Sequence, residues 1–284
     1  MIVKKMEVIK EFENNNKILN YEPQTIRSSI NFKGKNNILI CEEGVVLKNS
    51  IISFEGDNSI IYLSSNINVY ILYVSINNES VLYIDENCYF NNKLYIILSE
   101  SKNVFIGKEC LFSFGIWIRL ADPHLIYDIS TMKRINVSES VYIGDHVWIG
   151  QDAMLLKGTQ IGSGTVIGAK SLAPNKRIPS NSMWGGNPIK EIRKNIFFDG
   201  KSVHTYVKED TERSMMNTSK MWIYEEDNDV LGFNYLEEIN DKKTSEEKIE
   251  FLVQLRNNSS HNRFYLNASN KKQKWSFNKL INSF

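Results

Sequence analysis

The chain of 284 residues has three cysteines, Cys41, Cys88 and Cys110, and no CxxC pair. An odd, widely spaced set does not build a disulfide framework and suits a reducing compartment, so a cytoplasmic location is expected. Net charge is almost absent, with 34 Lys and Arg against 33 Asp and Glu. That balance leaves no electrostatic footprint for nucleic acid or a membrane surface. No apolar run reaches the ~20 residues that cross a bilayer. The opening MIVKKMEVIKEFENNN has a short apolar patch broken by charges and no small-residue cleavage site, so it does not read as a secretory signal.

What the chain does have is a repeat. From Val137 to Leu172 it reads VSESVY IGDHVW IGQDAM LLKGTQ IGSGTV IGAKSL, six blocks of six residues. The first column is always aliphatic (Val137, Ile143, Ile149, Leu155, Ile161, Ile167), and glycine follows at 144, 150, 162 and 168. Four residues on, Val141, Val147, Ala153, Thr159, Thr165 and Ser171 stay small or β-branched. A period of six fits neither a helix face nor a simple hairpin alternation, but it fits short strands that turn every sixth residue, three to a coil. One aliphatic side chain per block then points inward, and the glycine beside it takes a corner conformation that a Cβ would penalise.

This pattern resembles the hexapeptide-repeat acyltransferase family. The resemblance implies a mainly β chain folded as a left-handed parallel β-helix, and a homotrimer with the cofactor between neighbouring solenoids. In weaker form the repeat extends upstream: Ile40, Leu63, Ile84 and Ile106 align at spacings of 23, 21 and 22. Cys88 and Cys110 fall in the small-residue column and read as packing residues.

Residues 1–35 are therefore expected to cap the solenoid, and 36–198 to form it. The interval from Ile106 to Ile143, 37 residues, fits two coil turns or one coil and a protruding loop at 119–136. Asn187, Pro188 and the spacing of Ile189, Ile192 and Ile196 predict a terminal helix over 188–197. Residues 199–284 read as a C-terminal extension with its own small core. In it Thr244-x-x-Glu247 caps a helix, while MWIYEED and VLGFNYL read as strands or an aromatic cluster.

The loop Ala121-Asp-Pro-His-Leu-Ile-Tyr-Asp128 resembles the Asp-Gly-His-x-Ile-x-Asp loop of sugar and polysaccharide O-acetyltransferases, with Pro123 in the glycine position. Acyl transfer to a hydroxyl needs a base, and an imidazole with a pKa near ~6.5 suits that task. The resemblance makes His124 that base, with Asp122 or Asp128 as candidates to hold its other ring nitrogen. It also places Trp148 beside the base, against the acceptor sugar or the pantetheine arm of acetyl-CoA. Backbone N–H groups near Gly150 would face the thioester oxygen.

The stretch from Ala169 to Arg193 resembles the family's ending, in which a lysine and an arginine hold the phosphates of coenzyme A; Lys176 and Arg193 stand there. Arg119, Lys133 and Arg134 on the loop would suit an acidic acceptor. His146 follows His124 by 22 residues, close to one coil, as in a zinc site, but that chemistry needs three histidines and the remaining two, His204 and His261, lie outside the repeat. No metal is expected, and His146 reads as a surface residue.

The resemblance thus implies an acetyl-CoA-dependent O-acetyltransferase acting on a surface glycan, most like enzymes that modify sialic acid of lipooligosaccharide or capsule. An N-acetyltransferase of a nucleotide-linked amino sugar and a non-catalytic β-helix subunit remain open.

Overall fold

The computed structural model describes residues 6–228, 230–258 and 260–268. Short strands recur three to a coil and stack into three ladders, which we call the first, second and third faces in the order the chain visits them. The result is a left-handed parallel β-helix of about seven turns. Coils are held by the inward column. Cys41, Leu63, Ile84, Ile106, Ile143, Ile161 and Ile178 stand in consecutive register on the first face, and all are buried in one core cluster. Each aliphatic side chain so buried contributes roughly 1.5–3 kcal/mol.

The upstream column differs from the expected one at its first member. Ile40 pairs with Tyr62, and Cys41 pairs with Leu63. A shift of one residue turns a side chain to the other side of a strand. Cys41 therefore sits in the axial core, whereas Ile40 is buried on the outer side of the first face. Burial raises the pKa of Cys41 and Cys110, so both thiols stay protonated.

The first repeat block also departs from expectation. Val137 is 54% exposed, and register starts at Val141, opposite Val104. Gly144 and Gly150 matter for a different reason than corner conformation. A Cβ there would lie 2.7 Å from the backbone N of Ser163 and Ala169 in the next coil, so glycine is what lets the coils approach. Left-handed backbone at the corners is taken instead by His146, Asp152, Lys170 and Asn175, and by Gly158 and Gly164, which lie outside the aliphatic-adjacent column.

The ladders begin earlier than residue 36. The strand Asn16–Asn20 already pairs in parallel with Ile38–Cys41, and Val8–Phe12 folds back antiparallel on it, covering the outermost edge. Ile106 pairs directly with Ile143, so the interval between them holds one coil and an excursion between the strands Trp117–Arg119 and Val141–Ile143.

At the other end the expected helix over 188–197 is absent. Lys190–Lys194 is a strand, antiparallel to Ser182–Gly185. The last coil leaves a row of unpaired N–H and C=O groups, and pairing with that row satisfies more backbone than an isolated helical turn would. Gly186, at φ 97°, makes the reversal.

Among the described residues beyond 199 lie three α-helices: α1 (Lys208–Arg213), α2 (Phe233–Glu237) and α3 (Ser245–Asn257). The Thr244 hydroxyl accepts from Glu247 N–H at 3.1 Å, and the Glu247 carboxylate accepts from Thr244 N–H, so α3 starts where the capping box placed it. VLGFNYL is not a strand, since most of it belongs to α2. Nor do the described residues of this segment form a separate core. Phe233, Leu236, Phe251, Leu252 and Leu255 pack on Tyr62, Tyr83, Phe105 and Tyr142 of the first face, covering its outer side. A buried ion cluster fastens it: the Arg263 guanidinium, 1% exposed, bridges Asp145 at 2.6 Å and Asp85, while Arg256 pairs with Glu42 at 2.7 Å and Glu86 at 2.8 Å.

Candidate active site

The excursion that carries His124 leaves the solenoid where the third face turns into the first. Its base is held by Asn136, which is 5% exposed. The Asn136 amide donates to the His124 carbonyl at 2.7 Å and to the Asp122 carboxylate at 3.3 Å, and its oxygen accepts from Ile126 N–H at 3.0 Å. A second anchor is Glu100, in the corner one coil upstream. It receives the Arg134 guanidinium at 2.5 Å and the Ser138 hydroxyl, and Arg134 foremost holds its pKa down at about 2. Lys157, in the corner one coil downstream, donates to Asp122 at 2.6 Å and to the Asn136 carbonyl at 3.1 Å. The loop is therefore pinned from both sides, with the His124 side chain exposed at its outer end.

Neither expected partner of the imidazole is in place. The Asp128 carboxylate accepts from the N–H and hydroxyl groups of Ser130 and Thr131, bonds that hold its pKa down at about 2 and shape the 128–131 turn. The Asp122 carboxylate, its pKa lowered chiefly by Lys157, is committed to Lys157 and Asn136. Among the described residues the His124 ring has no hydrogen-bond partner, and only its carbonyl is held. Of the cations expected on the loop, Arg134 is engaged by Glu100, Lys133 is exposed, and Arg119 stands half-exposed on the third face between Ile97 and Leu156.

Trp148 is elsewhere. It lies on the second face, opposite the edge that carries the loop, so one chain does not place it beside His124. Trp148, Val166, Met183 and Arg193 stand in consecutive register on that face. An exposed ring and an exposed guanidinium thus share one column, roughly 14 Å apart at strand spacing. At the adjoining corner the Gly150 N–H is spent on the Ile167 carbonyl at 2.8 Å, which removes it as an oxyanion donor. The free donors are the next residues along each corner: among the described residues, Gln151 N–H and Ala169 N–H donate to nothing. Lys176 is exposed in the last corner between third and first faces, its amine 5.8 Å from the centroid of the Trp184 ring.

His146 is not a surface residue. It is 4% exposed, stacked between Trp222 at 3.6 Å and Phe198 at 4.0 Å, with Nε2 3.1 Å from the Phe198 carbonyl oxygen. Burial pushes its pKa down to about 4, so the ring is neutral near pH 7. Phe198 also leans on Trp148 at 5.9 Å, which links this stack to the second face. Among the described residues no group of three or more His, Cys, Asp or Glu is arranged to hold a metal ion, and no helix is long and apolar enough to cross a membrane.

Sequence reasoning passed over Asn136, Glu100, Lys157, Phe198 and Trp222. Each acts through a partner 12 to 76 residues away, and nothing local marks it.

The bacterial transferase hexapeptide (six repeats) family matches residues 140–172. No curated protein sequence matches the chain. Among solved structures it is similar to the polySia-specific acetyltransferase NeuO, with 28% identity and a TM-score of 0.59 over 67% of this chain and 90% of that one. The polysialic acid O-acetyltransferase OatWY matches at 25% identity and a TM-score of 0.52, over 67% of this chain and 96% of that one. Repeat and fold together support an acetyltransferase similar to those of the hexapeptide-repeat family. Within that class it resembles the sialic acid O-acetyltransferases.

Proposed function

We propose that the protein transfers the acetyl group of acetyl-CoA to a hydroxyl of sialic acid in a bacterial lipooligosaccharide or capsule, with His124 as general base. The observation that carries this reading is the likeness to two polysialic acid acetyltransferases over nearly their whole length, in a chain whose excursion between the fifth and sixth coils presents a histidine. Trp148 and Arg193 at opposite ends of one column suit an elongated thioester with an anionic end, and Lys176 adds a cation at the end of the solenoid. Gln151 and Ala169 N–H groups are free to meet the donor's carbonyl and amide oxygens.

His124 removes the hydroxyl proton as the sugar oxygen attacks the thioester carbonyl. The C–S bond then breaks, and the departing thiolate takes the proton back from His124. Because Trp148 and Arg193 lie on the face opposite the His124 edge, a complete site takes its base from one subunit and its donor-binding face from the next, in a homotrimer. The half-buried outward column Tyr73, Tyr95, Trp117 and Met154 on the third face, with Tyr95 and Trp117 stacked at 4.4 Å, offers apolar surface for such packing.

Thiol release from acetyl-CoA, measured with free sialic acid, sialylated oligosaccharides and amino sugars, tests the reading. Wild type is expected to turn over a sialylated acceptor, and His124→Ala to lose at least about a hundredfold in kcat. An unchanged rate in the variant removes His124 as base. Turnover of amines alone replaces the hydroxyl acceptor.

A further inference from the structure

A cleft of about 490 Å³ opens between the edge of the solenoid and the start of α3. That volume lies within the ~300–1,000 Å³ range of small-molecule sites. One wall is made by three successive corners between the third and first faces, at Asn58, Glu79 and Ser101. The other wall brings Lys242, Lys243 and Lys248 from the C-terminal segment. It is held in place by Asn103, whose amide donates to Asn240 at 3.0 Å and whose oxygen accepts from Val81 N–H at 2.9 Å.

Three cations therefore face one lining carboxylate, Glu79. None of the three lysines forms an ion pair among the described residues. Lys248 reaches only the Glu79 carbonyl oxygen by hydrogen bond, at 3.4 Å, and its half-burial lowers its pKa against the opposing pull of the Glu79 charge. Lys242 lies 6.0 Å from the centroid of the Phe251 ring. The nearby Glu247 carboxylate is spent on the N–H groups of Lys243 and Thr244.

The cleft also lies on the same edge as the His124 loop. Glu100, which anchors that loop through Arg134 and Ser138, is the residue next to Ser101. The corner at Glu79 is two coils from the corner where the loop returns, about 10 Å at strand spacing. A polymer lying along the edge would thus present one unit to His124 and a neighbouring unit to the lysines. The Asn58 amide and the Ser101 hydroxyl suit sugar hydroxyls, and the lysines suit a carboxylate on each unit.

We infer that the Lys242–Lys243–Lys248 cleft is a second acceptor subsite that holds a carboxylate-bearing sugar of a polymeric glycan while another unit of the same chain is acetylated. This rests on the acidic-glycan reading above. It predicts that affinity rises with acceptor length.

The test compares wild type, the triple variant Lys242→Ala/Lys243→Ala/Lys248→Ala and the triple Lys→Arg variant, using α2,8-linked polysialic acid, short oligosialic acids and neutral dextran. In wild type KM should fall as the sialic acid chain lengthens. The alanine variant should lose that dependence, with KM for the polymer raised roughly tenfold and kcat on a short acceptor unchanged, and the arginine variant should restore it. Equilibrium binding of polysialic acid to His124→Ala protein, with and without the three alanines, separates the two proposals. Binding lost with the lysines but without any acetyl transfer would sink the functional reading and leave the subsite standing. Equal polysialic acid binding by both proteins, or equal binding of dextran, would overturn the subsite.

Discussion

His146 shows how one side chain changes role with its surroundings. In sequence it is a polar residue in a repeat corner, while in the fold its ring fills a slot between Phe198 and Trp222, and burial pushes its pKa down from 6.5 to about 4. The unfolded chain then binds a proton at a pH where the folded chain does not. Its contribution to stability is complete above pH 6.5 and drains away as pH falls toward 4. About 2 kcal/mol should be lost between pH 7.5 and pH 5. Urea denaturation at the two values measures it. In His146→Asn, which tolerates the corner's positive φ, the loss should shrink; an undiminished loss would assign the pH dependence to other groups.

At the scale of elements, the loop between the fifth and sixth coils depends on anchors at its base more than on contacts at its tip. Asn136 holds Ile126, the His124 carbonyl and the Asp122 carboxylate at once. Replacing it with alanine leaves those groups to water and costs roughly 1–3 kcal/mol of local order. Hydrogen exchange within 122–136 should accelerate while the coil strands keep their protection, and kcat/KM should fall about tenfold or more. Unchanged exchange in the loop would rule out the anchoring role. The strand Lys190–Lys194 teaches a related lesson. Its isoleucine spacing suits a helix, but the last coil offers an unpaired edge, and the ladder outweighs the weak local preference of so short a segment.

At the scale of the whole molecule, the three faces have separate fates. The first is covered by the C-terminal segment, fastened through Arg263 to Asp85 and Asp145. The second carries the Trp148–Arg193 column, and the third an aromatic stripe. With His124 on the edge between third and first faces, a site shared between subunits makes a quantitative prediction. His124→Ala and Trp148→Ala proteins, each nearly inactive alone, should recover activity when co-expressed. Random assembly leaves about a quarter of the interfaces with both native residues. Recovery of nothing, from mixed trimers verified by mass, would place both residues in one chain's site.

The sequence by itself determined the β-helix, because a hydrophobic period of six is a local property that only stacked three-strand coils can bury. It also determined the α3 cap, because Thr244 and Glu247 are three residues apart. It marked His124 through a motif on a stretch that breaks the repeat. Only the tertiary structure decided that Cys41 and not Ile40 enters the core, since register depends on which strand lies alongside. The same holds for Asp122 and Asp128, whose oxygens were claimed by Lys157, Asn136, Ser130 and Thr131 before the imidazole could use them. The first face was fastened to its cover, and the lysine cleft received its two walls, through residues more than 100 positions apart. Contacts of that range are set by how the coils stack and where the chain returns, and no local pattern encodes them.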